Sequence, residues 1–185
     1  MSTLEVNTID SVSGTSTLTL GSSNAGTIAL GSGDVQSNFN YPAFYGELAS
    51  DQVVSRDTQT KLTGMTQNEI DTDTAFDGTT FTVPSGKAGK YFIYTGLFAN
   101  FDDCGDDGEK IQLNIFKNGS SFKEGKYEST ANNQIKFYSI NLGIMMDLSV
   151  GDTIEAYIVL ADASANTGMK ANDGQTYLGG YRVGT

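Results

Sequence analysis

The chain is 185 residues long and strongly acidic, with 11 Lys and Arg against 22 Asp and Glu and a formal net charge of −11. Nucleic acids and anionic membranes attract proteins through clustered Lys and Arg, so this balance argues against both as partners. Histidine is absent, which excludes a Ser-His-Asp triad and a His-ligated zinc site, and the single cysteine forms no disulfide within the chain.

Residues 1–38 differ in composition from the rest of the chain, because they contain no aromatic residue and no Lys or Arg. The sequence TLTLG at 17–21 returns as TIALG at 27–31, and Gly and Ser separate these pieces, as is typical of short strands. A strand with one apolar stripe must bury it against something else. We therefore expect a β-rich anchor or shaft, either wrapped around other copies or laid on a partner; a disordered tail is the alternative. The apolar side chains available for such contacts are Leu4, Val6, Ile9, Leu18, Leu20, Ile28 and Leu30.

From Tyr41 onward the chain is rich in aromatic residues, and β-prone segments follow one another to the end. One of them, residues 90–98, is apolar on both faces, as expected for a central strand. Asn118-Gly119 predicts a tight hairpin turn, and no helical pattern is convincing, with one weak turn at 47–57. We predict an all-β second domain over residues 41–185, with about eight to ten strands in a jelly-roll sandwich or barrel. The predicted strands include residues 79–83, 90–98, 110–122, 134–148, 152–160 and 175–183.

Four blocks of this second region carry a family resemblance. The first is FTVPSGKAGKY, the second is IQLNIFKNG, the third is LSVGDTIEAYIVL and the fourth is TYLGGYRVG. In this order they resemble the C1q/TNF-like globular domain over about residues 60–184, which implies a jelly-roll sandwich that forms a homotrimer. Two features depart from that family: Gly179-Gly180 replaces a single glycine, and no collagen-like Gly-X-Y repeat precedes the domain. The matching residues of the first and third blocks are Phe81, Val83, Pro84, Gly89, Tyr91, Leu148, Gly151, Asp152 and Ile154.

The start of the chain, STLEVNTIDSVSGTSTLTL, is similar to the openings of tail-fibre and virion structural proteins of marine bacteriophages. Together the two resemblances imply a structural protein of the virion, made in the host cytoplasm, either a tail fibre or a capsid-decorating trimer. Residues 1–38 would attach it to other virion proteins, and the C1q-like knob would bind a host-surface glycan or protein. The alternative is a soluble cellular C1q-like adhesion or recognition module. That alternative predicts an export signal and disulfides, and this sequence shows neither.

The subunit contact of a trimer can be assigned to particular side chains. A jelly roll of this size exposes one sheet, and exposed aromatic residues there would be buried against other copies. Tyr177 and Tyr181 lie on one face of the closing strand, because side chains alternate with a period of two. They are our candidates for the trimer interface, and the alternative is that both lie in the core of one subunit.

The segment FDDCGDDGEK, residues 101–110, falls between two predicted strands and is therefore a loop tip. Clustered carboxylates suit Ca²⁺, although no EF-hand pattern is present, so the loop is either a calcium site or a solvated acidic tip. Catalysis is not expected: nothing nearby would raise a carboxyl pKa by burial, and Cys104 has no histidine to activate it. We therefore predict that the protein is not an enzyme. The candidate calcium ligands are Asp102, Asp103, Asp106, Asp107 and Glu109.

Overall fold

The computed structural model describes residues 42–104, 108–129 and 136–184, and within these ranges all regular structure is β-strand. Among these residues no helix is long and apolar enough to cross a membrane. The strands are β1 (Ala43–Glu47), β2 (Gln52–Ser55), β3 (Thr60–Lys61), β4 (Gln67–Asp71), β5 (Thr80–Thr82), β6 (Gly89–Asn100), β7 (Gly108–Lys117), β8 (Ser120–Glu128), β9 (Phe137–Leu148), β10 (Thr153–Asp162), β11 (Thr167–Ala171) and β12 (Tyr177–Gly184).

The strands form two antiparallel sheets. The seven-stranded sheet has the order β2-β11-β6-β12-β1-β4, and β9 pairs with the other edge of β6. The five-stranded sheet has the order β3-β10-β7-β8, with β5 also on β10. β6 thus has partners on both edges, which confirms its prediction as a central strand.

The core lies between the two sheets and follows the alternation of the long strands. On β6, Tyr91, Ile93 and Leu97 point inward and are fully buried, while Phe92 and Tyr94 point to the opposite face. Ile111 on β7 and Ile158 on β10 are equally buried from the other sheet. Burial of each such side chain stabilises the fold by about 1.5–3 kcal/mol, so alternating apolar residues are the main cause of the sandwich. The predicted jelly-roll sandwich is confirmed.

The predicted Asn-Gly hairpin is also confirmed. Lys117 at the end of β7 pairs with Ser120 at the start of β8. The two residues between them, Asn118 and Gly119, have φ values of 52° and 74°. Positive φ at both central positions is the type I′ geometry that matches the twist of the flanking strands.

Several strands were not predicted because their sequences are short and polar. β4 is the clearest case: its sequence is QNEID, four of its five residues are exposed, and it exists through pairing with β1. β2 lies within residues 47–57, for which the sequence suggests one weak helical turn, and that prediction is wrong. β8 continues as far as Glu128, although the predicted strand stopped at residue 122. These segments depend on partners distant in sequence rather than on their own periodicity.

The two ends of the sandwich carry different features. Ala43 pairs with Tyr181 and Lys90 with Gly184, so the chain enters at Pro42 beside the last strand; we call this the entry end. β6 runs away from it to Asn100, and the acidic loop follows at the opposite end, which we call the loop end.

Residues 1–38 lie outside the described residues. The boundary predicted near residue 38 and the anchor role of this segment therefore remain predictions. The same holds for its proposed contact residues, which are Leu4, Val6, Ile9, Leu18, Leu20, Ile28 and Leu30.

Candidate self-association surface on the seven-stranded sheet

The outer face of the seven-stranded sheet carries a continuous group of aromatic rings. β1, β6 and β12 are neighbours, and their outward positions place Tyr45, Phe92, Tyr94, Tyr177 and Tyr181 together; we call this set the aromatic face. Ring centroids lie 5.7 Å apart for Tyr45–Tyr177, 6.1 Å for Tyr94–Tyr177 and 5.8 Å for Phe92–Tyr181. Aromatic pairs at these separations stabilise one another, so the rings form one ordered surface rather than scattered contacts.

Outward-facing glycines let these rings lie against the sheet. One row of the sheet reads Tyr45, Gly179, Tyr94 and Gly143 across four paired strands. A Cβ atom added at Gly179 would meet Cζ of Tyr94 at 2.6 Å, so this ring covers the glycine. In the neighbouring row, a Cβ at Gly96 would meet the Tyr177 ring at 2.5 Å. Rings and glycines thus alternate and flatten the surface.

The phenol groups of the aromatic face make hydrogen bonds along the sheet. The Tyr177 hydroxyl donates to Oδ1 of Asn141 at 3.0 Å, and the Tyr45 hydroxyl donates to Oε1 of Glu47 at 2.5 Å. Burial raises the pKa of Tyr45 and of Tyr94 above the usual range, and the hydrogen bond to Glu47 adds to the increase at Tyr45. The raised pKa keeps the Tyr45 and Tyr94 phenols neutral at pH 7, so these two rings add no charge to the surface.

Apolar side chains extend this surface to both sides. Ile70 on β4 pairs with Tyr45, and Met145 on β9 pairs with Phe92. Ile70 is 54% exposed, Met145 is 51% exposed and Tyr181 is 42% exposed. Soluble proteins rarely leave a connected apolar patch of this kind uncovered unless it binds something.

The two residues predicted for the trimer interface both belong to this face. Tyr177 is half-buried among the other rings, Tyr181 is exposed, and neither lies in the core of the subunit. Sequence reasoning missed Tyr45, Phe92 and Tyr94. Phe92 and Tyr94 could have been found from the two-residue spacing in YFIY, whereas Tyr45 required knowledge that β1 pairs with β12.

The structure separates the carboxylates of the acidic loop that it describes. Asp102 is paired with Lys136, Asp103 with Lys170, and Glu109 with Arg56 at 3.1 Å. In the described part of the chain, no group of three or more Asp, Glu, Cys or His residues is placed to hold a metal ion. Asp106 and Asp107 lie outside the described residues, so the calcium site stays a prediction.

Cys104 is half-buried at the side of the same loop. Its thiol donates to the backbone carbonyl of Phe101 at 3.3 Å and lies 3.5 Å from Oδ2 of Asp162. These two contacts hold the Cys104 side chain within the fold, which fits a structural role.

No protein-family model matches this sequence, and no curated protein matches it either. Solved structures do resemble the fold. Eiger TNF from S. frugiperda has a TM-score of 0.52 and 13% identity, over 76% of this chain and 90% of that chain. The globular domain of zebrafish complement 1qA protein has a TM-score of 0.53 and 12% identity, over 77% and 98%. Murine APRIL has a TM-score of 0.51 and 13% identity, over 76% and 98%.

The chain has the C1q/TNF-like jelly-roll fold. This confirms the fold implied by the four sequence blocks. At 12–13% identity the likeness concerns the fold alone, and function has to be argued from the surface described above.

Proposed function

We propose that this protein is a non-enzymatic structural component of a bacteriophage particle. In this proposal, three copies of residues 41–185 form a C1q-like knob, and residues 1–38 attach the knob to other virion proteins. The observation that carries the self-association is the aromatic face, which is connected, flat and left uncovered by the residues that the structure describes.

The energetics favour another copy of the chain as the occupant of this face. Each aromatic side chain carries about 150–250 Å² of surface, and its burial contributes about 25 cal/mol per Å² before the costs of association. The hydroxyls of Tyr45 and Tyr177 are already bonded to Glu47 and Asn141, so they do not demand a polar partner. C1q/TNF-like domains typically form homotrimers, which agrees with a closed ring of three.

The position of the two ends supports a directed knob. In a cyclic trimer all copies point the same way along the symmetry axis. The three chains would therefore enter at one end, near Pro42, and present their loop ends on the opposite side. Loops carried on a rigid sandwich are the usual place for recognition, so the loop end is where a host-surface glycan or protein would bind.

The assignment to a bacteriophage rests on the N-terminal sequence, which is similar to openings of tail-fibre and virion structural proteins. A tail-fibre knob and a capsid-decorating trimer both fit the proposal. The alternative, a soluble cellular recognition module, is favoured by a different observation: the similar solved structures are named as TNF, complement 1qA and APRIL proteins of animals.

The decisive experiment compares the full chain with a variant that lacks residues 1–38. Multi-angle light scattering is expected to show three copies for both proteins, because the aromatic face is intact in both. Only the full chain is expected to join phage particles that lack this protein, as followed by immunogold labelling. If the truncated protein also joined the particles, the proposed anchoring role of residues 1–38 would be wrong. If the full chain were a monomer, the proposed trimeric knob would be wrong.

A further inference from the structure

The hairpin tip Asn118-Gly119 combines a chemically labile dipeptide with an unusual set of contacts. In a flexible chain, the backbone nitrogen of Gly119 attacks the side-chain carbonyl carbon of Asn118. Ammonia leaves as a cyclic imide forms, and water then opens the ring to aspartate or isoaspartate. Glycine favours this reaction because it has no side chain to hinder the attack. Both residues are exposed, so solvent reaches them freely.

In the folded structure, hydrogen bonds hold the Asn118 side-chain amide against the start of β10. Its Nδ2 donates to Oδ1 of Asp152 at 2.8 Å, and its Oδ1 accepts from the backbone nitrogen of Thr153 at 2.8 Å. The backbone nitrogen of Asn118 also donates to the carbonyl of Thr153 at 3.0 Å. Both atoms of the amide are thus bonded to the start of β10, and attack by Gly119 would require these bonds to break.

Asp152, which holds the Asn118 amide nitrogen, is itself fixed by two further contacts. Its Oδ2 lies 2.9 Å from Nζ of Lys117 and accepts from the backbone nitrogen of Ser149 at 2.8 Å. The intermediate of the cyclisation carries negative charge on the former Asn118 oxygen. The carboxylate of Asp152 disfavours this charge, whereas the Thr153 N–H that Oδ1 accepts favours it, so the protection of Asn118 rests on the docked geometry of its amide.

We propose that Asn118 is a gated deamidation site, closed while the hairpin tip is docked on Asp152 and Thr153 and reactive once the tip opens. The product places a second carboxylate opposite Asp152, and two like charges at this distance repel one another. The modified hairpin therefore does not dock again, so each event permanently marks a subunit whose β7–β8 tip has opened. This site is separate from the aromatic face and does not depend on the proposed function.

The test compares the folded full chain with a synthetic peptide of residues 115–122 in the same mildly alkaline buffer. Peptide mass spectrometry follows the replacement of –NH₂ by –OH at Asn118. We expect the folded protein to react at least about tenfold more slowly, which corresponds to about 1.4 kcal/mol of local opening free energy. Equal rates would overturn the proposal.

Two variants locate the gate. Asp152→Ala is expected to bring the rate in the folded chain towards that of the peptide. Lys117→Met removes a partner of Asp152 but keeps both Asn118 bonds, and it is expected to stay slow. Circular dichroism checks that both variants fold; a folded Asp152→Ala protein that reacts as slowly as the unmodified chain would contradict the gate.

A third variant keeps the proposal testable if Asp152→Ala does not fold. Asn118→Asp reproduces the aspartate product, and we expect it to melt at a lower temperature than Asn118→Ser at pH 7. The difference between them is expected to shrink in acid, where protonation removes the repulsion between the two carboxylates. Equal melting temperatures at pH 7 would overturn the claim that the product prevents docking.

Discussion

At the scale of single residues, the double glycine at 179–180 has two separate causes, one on each face of β12. Gly179 points outward, where the ring of Tyr94 covers it. Gly180 points inward, where a Cβ would meet Cδ1 of Ile93 at 2.6 Å and Cε1 of Phe44 at 2.8 Å. The departure from the single glycine of the family therefore serves the aromatic face and the core at the same time.

These two positions give a matched pair of substitutions. Gly180→Ala is expected to lower the free energy of unfolding of the subunit by about 1–3 kcal/mol, because it overpacks the core. Gly179→Ala is expected to lift the Tyr94 ring and weaken self-association, with a smaller effect on the fold of the subunit. Urea denaturation and light scattering measure the two effects. The same loss of association from both variants, without loss of stability, would contradict the assignment of faces.

At the scale of elements, the turn before β10 holds the β7–β8 hairpin in place. Gly151 takes the positive φ of 84° that the turn requires, and Asp152 bonds to Asn118, Ser149 and Lys117. Leu148 and Ile154 on either side are buried in the core. The turn and the core contacts thus give the block LSVGDTI a structural explanation.

Asp152 also predicts a pH dependence of stability. The hydrogen bond from Asn118, followed by contacts with Ser149 and Lys117, lowers the pKa of Asp152 from 3.8 to about 2. Because the folded pKa is the lower one, the carboxylate stabilises the fold above pH 3.8, and this contribution is lost as the pH falls towards 2. We expect Asp152→Asn to lower the free energy of unfolding by about 1–2 kcal/mol at pH 7, and by less at pH 2.

The control for this prediction is Asp147→Asn at the same end of the sandwich. Asp147 pairs through its side chain with Lys90 and is largely exposed, so its removal is expected to change stability by less than about 0.5 kcal/mol. Urea denaturation across this pH range measures both variants. If Asp152→Asn lowered the free energy of unfolding by the same amount at every pH, the ionisation of Asp152 would not be the cause.

The acidic loop between β6 and β7 gives a test by metal removal. The described carboxylates Asp102, Asp103 and Glu109 already have basic partners, so we expect EGTA to leave the melting temperature unchanged. Calorimetry with and without added Ca²⁺ measures this. A fall in melting temperature that Ca²⁺ reverses, and that is absent in Asp106→Asn with Asp107→Asn, would establish the calcium site instead.

At the scale of the whole molecule, the aromatic face is the feature that the rest of the described chain leaves uncovered. Tyr181→Glu places a charge on this face and is expected to convert the proposed trimer to a folded monomer, since burying an unpaired carboxylate costs several kcal/mol. Val150→Glu is the matched control, because Val150 is 53% exposed in a turn away from the face, whereas Tyr181 is 42% exposed within it. Light scattering distinguishes the outcomes. Trimers from both variants would place the subunit contact elsewhere.

The sequence by itself determined the features that depend on local patterns. Alternation of apolar and polar residues predicts β7, and a run that is apolar on both faces predicts β6 as a central strand. Asn118-Gly119 predicts the hairpin because few other residues accept positive φ at both turn positions. The same alternation placed Tyr177 and Tyr181 on one face.

Only the tertiary structure decided which distant segments meet. β1 is too short and β4 too polar to be recognised alone, yet their pairing brings Tyr45 and Ile70 beside β12 and completes the aromatic face. The ion pairs of the acidic loop join residues such as Asp103 and Lys170, which are 67 positions apart. Such contacts follow from the packing of two sheets, a property of the whole chain that no local window of sequence contains.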